Sequence, residues 1–282
     1  MNWQIPFFVT CATVLLVVVA RLVNQLVMNV HLIESLVEKD NPAIGIQSAG
    51  YLMGILLITA AVLSGEGQGT ILGDVIPVLG YGIGGIIILA LVATSSQRFF
   101  ISTNALQAVR EGNVAVGIVV AGSYVSTAII IAACVSGEAK GGSFLAAVLF
   151  FIIGQLCLLV ITWLFRQLTA YDDVKEILEA NVAAALSYAG IMIAVGIIVG
   201  HAIEGDFAGY KESLVGFAKA LATVFALYPI RQFLVQGLLL GGGFNIYGGR
   251  LDAEISQDKN INAGVIEAVS YVAAAMMIAR LS

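Results

Sequence analysis

Eight apolar runs of about twenty residues constrain this chain more than any other feature. They lie at 5–23, 42–63, 75–97, 114–135, 144–165, 182–200, 214–230 and 261–281. A bilayer's hydrocarbon core is about 30 Å thick, and a helix rising ~1.5 Å per residue crosses it in roughly 20 residues. Transmembrane strands need only ~10 residues and alternate polar with apolar, which these runs do not. Each run therefore reads as a helix that satisfies its own backbone N–H and C=O groups. The composition agrees. Charged residues make up 11% of the chain and hydrophobic ones 60%, against about a quarter charged in a soluble domain. The fold class that follows is an all-α integral membrane protein with eight transmembrane helices. The seventh run is the least regular, because Lys219 interrupts it and apolar residues continue past Arg231 to Leu240.

The remaining residues exclude several kinds of function. The 13 Lys and Arg are scattered among 18 acids, so there is no basic stripe for nucleic acid. Cys11, Cys134 and Cys157 lie inside apolar runs, and His31 and His201 have no second ligand at metal spacing. Neither a disulfide framework, a metal nor a cofactor is expected. No HExxH, no Ser/His/Asp set and no Cys/His pair is present, so the chain reads as non-enzymatic. The first run follows no basic segment and precedes no small-residue cleavage site, and it reads as a retained helix.

Two classes of connection join the runs. Those after runs two, four and six are short and Gly-rich, as in Ser64-Gly-Glu-Gly-Gln-Gly and Glu204-Gly-Asp-Phe-Ala-Gly. The others are longer and hold nine of the 13 cations: Arg21, Lys39, Arg98, Arg110, Arg166, Lys175, Arg231, Arg250 and Lys259. By the positive-inside rule those nine are cytoplasmic and both termini lie outside.

The chain also repeats itself. Asn41, Asn113, Asn181 and Asn260 each stand just before an even-numbered run, 72, 68 and 79 residues apart. Small residues follow each Asn at +4, +8 and +13, with Gly50, Gly122 and Gly190 at +9 and Val269 in the fourth place. The reading is four two-helix hairpins in one orientation, in units of about 1–66, 67–140, 141–208 and 209–282. Asn before a helix caps its unpaired N–H groups. Small residues, Gly54 among them, let helices approach closely where no hydrophobic effect drives them together. The even helices are expected to form an inner group and the odd ones, Leu158 included, to face lipid.

The combination acid-x-Asn-x-Ala-x-Ala/Gly, then Ala-Gly and a short Gly-acidic turn, is clearest in two places. These are Glu179-Ala-Asn181-Val-Ala-Ala-Ala and Glu111-Gly-Asn113-Val-Ala-Val-Gly. It resembles the bacterial family called domain of unknown function 350, over nearly the whole chain. Unit four departs from it with Asn262 at the usual Ala and Val269 at the usual Gly. The resemblance implies a multi-pass inner-membrane protein with no established activity.

Candidate polar sites are few. Glu267 and Lys219 are charges trapped inside runs, and burying either alone in lipid is costly. Glu267 lies seven residues after Asn260, some 10 Å beneath the boundary at ~1.5 Å per residue. Side chains lean toward a helix N-terminus, so Lys219 is expected to reach the outer headgroups and Glu267 to face protein, with a direct pair the alternative. Gln47 and Ser48 are further intramembrane polar candidates. Glu66, Asp74, Glu138, Glu204, Asp206 and Glu212 would crowd one mouth if the units closed into a ring. The stretches 98–113 and 166–181 are long enough to extend their helices beyond the bilayer. The segment 241–249, Gly-Gly-Gly-Phe-Asn-Ile-Tyr-Gly-Gly, lacks the ending of a phosphate loop and reads as a flexible connector peculiar to this chain. The function expected is assembly in the membrane with itself or with envelope or cytoplasmic partners. The alternative is a channel or transporter for a cation or small solute.

Overall fold

The computed structural model describes residues 4–29, 31–64, 71–101, 104–139, 143–204 and 209–281. Among them there are helices and connections and no strand. In chain order the helices are α1 (Gln4–Met28), α2 (Pro42–Leu63), α3 (Ile71–Phe100), the short α4 (Ala105–Arg110), α5 (Val114–Ala139) and α6 (Phe144–Arg166). The short α7 (Asp173–Leu178), α8 (Val182–Ile203), α9 (Tyr210–Ala222), α10 (Leu227–Ile230), the short α11 (Arg250–Ser256) and α12 (Ile261–Leu281) follow. Among the described residues, eight spans are long and apolar enough to cross a membrane.

Helices α2, α5, α8 and α12 stand side by side in that order. Missing side chains make this possible. A Cβ on Gly50 would lie 2.5 Å from the Cα of Ala121, and one on Gly122 would lie 2.9 Å from the Cβ of Ala189. Gly190 meets Ala268 in the same way. One turn nearer the Asn end, Gly117 and Gly264 abut the carbonyls of Ala43 and Ala183. Gly54 continues the first contact against Ala128 at 3.0 Å. At each step the Gly nine residues after one Asn receives the Ala eight residues after the next. Backbone therefore touches backbone along the row.

The row is open, because α2 and α12 lie at opposite ends and do not pack on each other. A closed ring with an acidic mouth is therefore not the arrangement. Glu66 and Asp206, and the side chains of Asp74 and Glu138, lie outside the described residues; Glu204 and Glu212 are exposed. Only the middle helices α5 and α8 are enclosed. The end helices keep one face open, with Leu52 and Leu56 on α2 and Val265 and Val269 on α12. Val269 is 61% exposed and stands where Gly50, Gly122 and Gly190 receive their neighbours, so its bulk ends the row.

The odd helices pack onto the row: α3 against α2 and α5, α6 against α5 and α8, α9 against α8. Their outer stripes, including Leu91, Leu156 and Val160, are exposed. Leu158, expected toward lipid, is instead fully buried. Two residues along a helix turn a side chain by about 200°, so Leu156 and Leu158 face opposite ways.

Each Asn does two jobs. The side-chain oxygen of Asn41 accepts from the N–H groups of Ala43 and Ile44, that of Asn113 from Val116, and that of Asn181 from Ala184. The amide nitrogen reaches the next hairpin: Asn41 donates to the carbonyls of Val109 and Arg110, Asn113 to Ile177 and Leu178, Asn181 to Ile255. Asn260 keeps both of its bonds within the fourth hairpin. It caps the Asn262 N–H and donates to Glu254. The residue before each Asn has a positive φ: Asp40 at 45°, Gly112 at 92°, Ala180 at 62° and Lys259 at 49°. This left-handed turn reverses the chain between each preceding segment and its span.

The stretches after α3 and α6 do not extend those helices. Asp172 adopts an extended conformation and caps α7 through the Lys175 N–H. An N-cap residue is non-helical, so α6 and α7 are separate helices. The seventh span also runs further than its apolar run suggests, over Tyr210–Leu239. Pro229 has no N–H to donate and obstructs regular α-helix. The chain tightens to a 3₁₀ turn at Thr223–Ala226 and widens to a π-helix at Arg231–Leu239.

Candidate functional site: a buried ion network in the fourth hairpin

The widened π segment begins at Arg231, which a reading by charge places among solvated loop cations. The structure buries it to 1% exposure. Its Nε donates to Glu267 of α12 and one terminal nitrogen donates to Asp252 of α11. The other donates to the side-chain oxygen of Gln232 at 3.3 Å. Burying an ion pair is tolerable only where the geometry is good and remaining polar atoms find partners. Most do here. The second oxygen of Asp252 accepts from the Ala170 N–H at 3.0 Å, while the second oxygen of Glu267 and the Tyr171 hydroxyl have no hydrogen-bond partner.

The network continues into the third hairpin. The guanidinium of Arg166 sits 5.2 Å from the Tyr188 ring centre, and its Nε is 3.7 Å from Asp173. Asp173 is 3% exposed and accepts from the Thr169 hydroxyl at 3.1 Å. Burial pushes the Asp173 carboxyl up to about 7, against the opposing pull of Arg166; Glu267 and Asp252 add to the rise.

The Gly-rich segment 241–249 is not a free connector, because it is tied to this cluster. The Tyr228 hydroxyl and the Gln232 amide both donate to the Ile246 carbonyl, at 2.5 and 3.2 Å. The Tyr247 hydroxyl donates to the Thr169 carbonyl at 3.1 Å. Gly249 has a φ of 124° and lies against the Gln236 side chain, so any side chain there would collide. Phe244, Ile246 and Tyr247 themselves are exposed.

The residues singled out from sequence do not form one site. Glu267 faces protein and is held by Arg231, whereas Lys219 is exposed, so those two do not pair. Gln47 is buried in the first hairpin, donating to Asn24 at 3.2 Å and accepting from Ser48 at 3.1 Å. Nearby, the rings of Tyr51 and Tyr124 meet edge to face, and the amide of Gln97 is buried without a partner. Gln47 and Ser48 thus belong to a neutral polar group separate from the ionic one.

The family model described as Domain of Unknown Function (DUF350) matches residues 4–135 and again 141–281. The chain belongs to this family. No curated protein and no solved structure matches it. Each DUF350 match covers two hairpins, and the gap between matches falls at the C-terminal end of α5. The family therefore carries no assigned chemistry to the Arg231 network, which stands on geometry alone.

A signal for the network was present in the repeat. Asp173 and Asp252 each lie eight residues before an Asn, and Tyr188 and Glu267 each lie seven after one. Aligned from those Asn residues, the third and fourth hairpins both place an acid and a long polar side chain near an Arg. The extra length between Arg231 and Asn260 conceals this correspondence.

Proposed function

We propose that this chain is a non-enzymatic, multi-pass protein of the bacterial inner membrane that works by association with protein partners. The observation that carries the reading is the backbone contact along α2, α5, α8 and α12. Helices packed Gly against Ala leave no lumen between them, which suits a rigid slab better than a pore. Four one-hairpin units, 1–66, 67–140, 141–208 and 209–282, are the repeat we infer beneath the two family matches. The cation count orients the Asn ends and the network toward the cytoplasm, with both termini outside.

The tip Phe244–Tyr247 is the surface offered to a partner. Tyr228 and Gln232 hold its Ile246 carbonyl and the Thr169 carbonyl holds its Tyr247 hydroxyl, while the Phe244 and Ile246 side chains stay exposed. A photo-crosslinking amino acid at Ile246 should give discrete protein adducts in cells; adducts to lipid alone would overturn the reading. Ile246→Cys should label from the cytoplasmic side, and periplasmic labelling would reverse the orientation. Purified protein in liposomes should pass neither cations nor small solutes. Measurable flux would favour a channel or transporter instead.

A further inference from the structure

The charges that meet between the third and fourth hairpins do not balance. Asp173, Asp252 and Glu267 contribute three carboxylates, and Arg166 and Arg231 contribute two guanidiniums. Three less two leaves one negative charge. Lys175 on α7 and Arg250 on α11 are exposed, and Arg250 instead approaches Glu254. An unpaired buried charge is removed most readily by taking up a proton.

Geometry distinguishes among the three acids. Arg231 is committed to Glu267 and Asp252, and Asp252 also takes the Ala170 N–H. Asp173 accepts the neutral Thr169 hydroxyl at 3.1 Å, and its one cation, the Nε of Arg166, stands at 3.7 Å, beyond hydrogen-bond reach. That guanidinium also lies over Tyr188 and donates to the Phe100 carbonyl. From the other packed elements Asp173 faces the charges of Glu267 on α12 and Asp252 on α11, with the Tyr171 phenol beside it. The orphan oxygen of Glu267 and orphan hydroxyl of Tyr171 mark the same region as one whose hydrogen bonding is incomplete.

We propose that the network is a proton-binding site in which Asp173 takes up and releases one proton, and that its occupancy governs docking of the 168–172 connection on the fourth hairpin. The proton comes from water onto a carboxylate oxygen of Asp173, and the cluster's charge goes from −1 to 0. On release, Asp173 repels Asp252 and Glu267 across the Ala170–Asp252 contact and loosens it. The inference is independent of the scaffold reading, since a slab or a pore could carry such a site.

The test is infrared difference spectroscopy of the full chain in detergent between pH 5 and 9. One protonated-carboxyl band should disappear with a midpoint near neutral pH, be absent in Asp173→Asn and persist in Glu179→Gln, an exposed acid on the neighbouring turn. If Asp173→Asn does not fold, Asp173→Glu should keep a one-proton titration with a displaced midpoint. Absence of the band in the wild type, its survival in Asp173→Asn, or an unshifted titration in Asp173→Glu would overturn the assignment. Sodium in place of choline should leave the midpoint unchanged; a shift of one pH unit or more would assign the site to a metal cation. Exchange of the Ala170 amide should be at least tenfold faster in its opening equilibrium above the midpoint than below, and equal protection would overturn the docking role.

Discussion

Arg231 holds Glu267 from 36 residues away in sequence, inside the fold and away from solvent. The contact joins the π segment after Pro229 to the second turn of α12, and the same guanidinium fastens α11 through Asp252. One side chain thus ties together the three parts of the fourth hairpin that its extra length would otherwise leave loose.

Arg231→Met should be among the most damaging single substitutions. It leaves two buried carboxylates without a counter-charge, and breaking a buried pair in this way costs about 3–5 kcal/mol. Arg231→Lys should rescue little, since an ammonium cannot span both acids as the fork does. The triple variant Arg231→Met, Asp252→Asn, Glu267→Gln should recover much of the loss. Thermal unfolding in detergent checks the order; a triple variant no better than the single would refute the charge argument.

Gly122→Leu should destabilise by roughly 1–3 kcal/mol, because its side chain would force α5 from α8 in a close-packed interior. Leu156→Phe, on the exposed stripe of α6, should change stability by less than about 0.5 kcal/mol. Equal losses would contradict the packing of the even helices.

Ala180→Gly should raise stability by roughly 1 kcal/mol, the scale of the penalty an L-residue bears in the left-handed region. Gly112 already occupies the equivalent place before Asn113. A fall in melting temperature would show that the Ala180 side chain contributes more than its backbone strain costs.

Asn181→Ala should cost more than Asn260→Ala. Asn181 is fully buried, caps α8 and donates to Ile255 in the next hairpin, whereas Asn260 donates within its own hairpin. Losing a cap costs about 1 kcal/mol, and leaving a buried carbonyl unpaired costs ~1–3 kcal/mol more. Urea or thermal titration of the two variants gives the comparison.

Stability should fall as pH rises from about 4 to about 7. The Asp173 carboxyl is raised from its ordinary 3.8 to about 7 by burial, so in that window the folded state holds a proton that the unfolded state has lost. The slope from this one group is at most about 1.4 kcal/mol per pH unit. Asp173→Asn should flatten it and keep the acid-side stability at pH 8. An unchanged slope in Asp173→Asn would assign the pH dependence to another group.

The spans, the four Asn positions and the small residues that let helices approach were all legible in the sequence. They depend on local quantities: a hydrocarbon thickness that sets run length, an N-cap that must be polar, and a close approach that only a small residue permits. Gly50, Gly122 and Gly190 could be placed at an interface without knowing which helix came next. Tertiary structure alone decided that the row stays open, that Leu158 turns inward, and that Arg231 is buried with Glu267 and Asp252. A cation near the end of an apolar run has the same local signature whether it meets water or a carboxylate. The choice rests on where α11 and α12 return after the Gly-rich segment, and long-range packing determines that return.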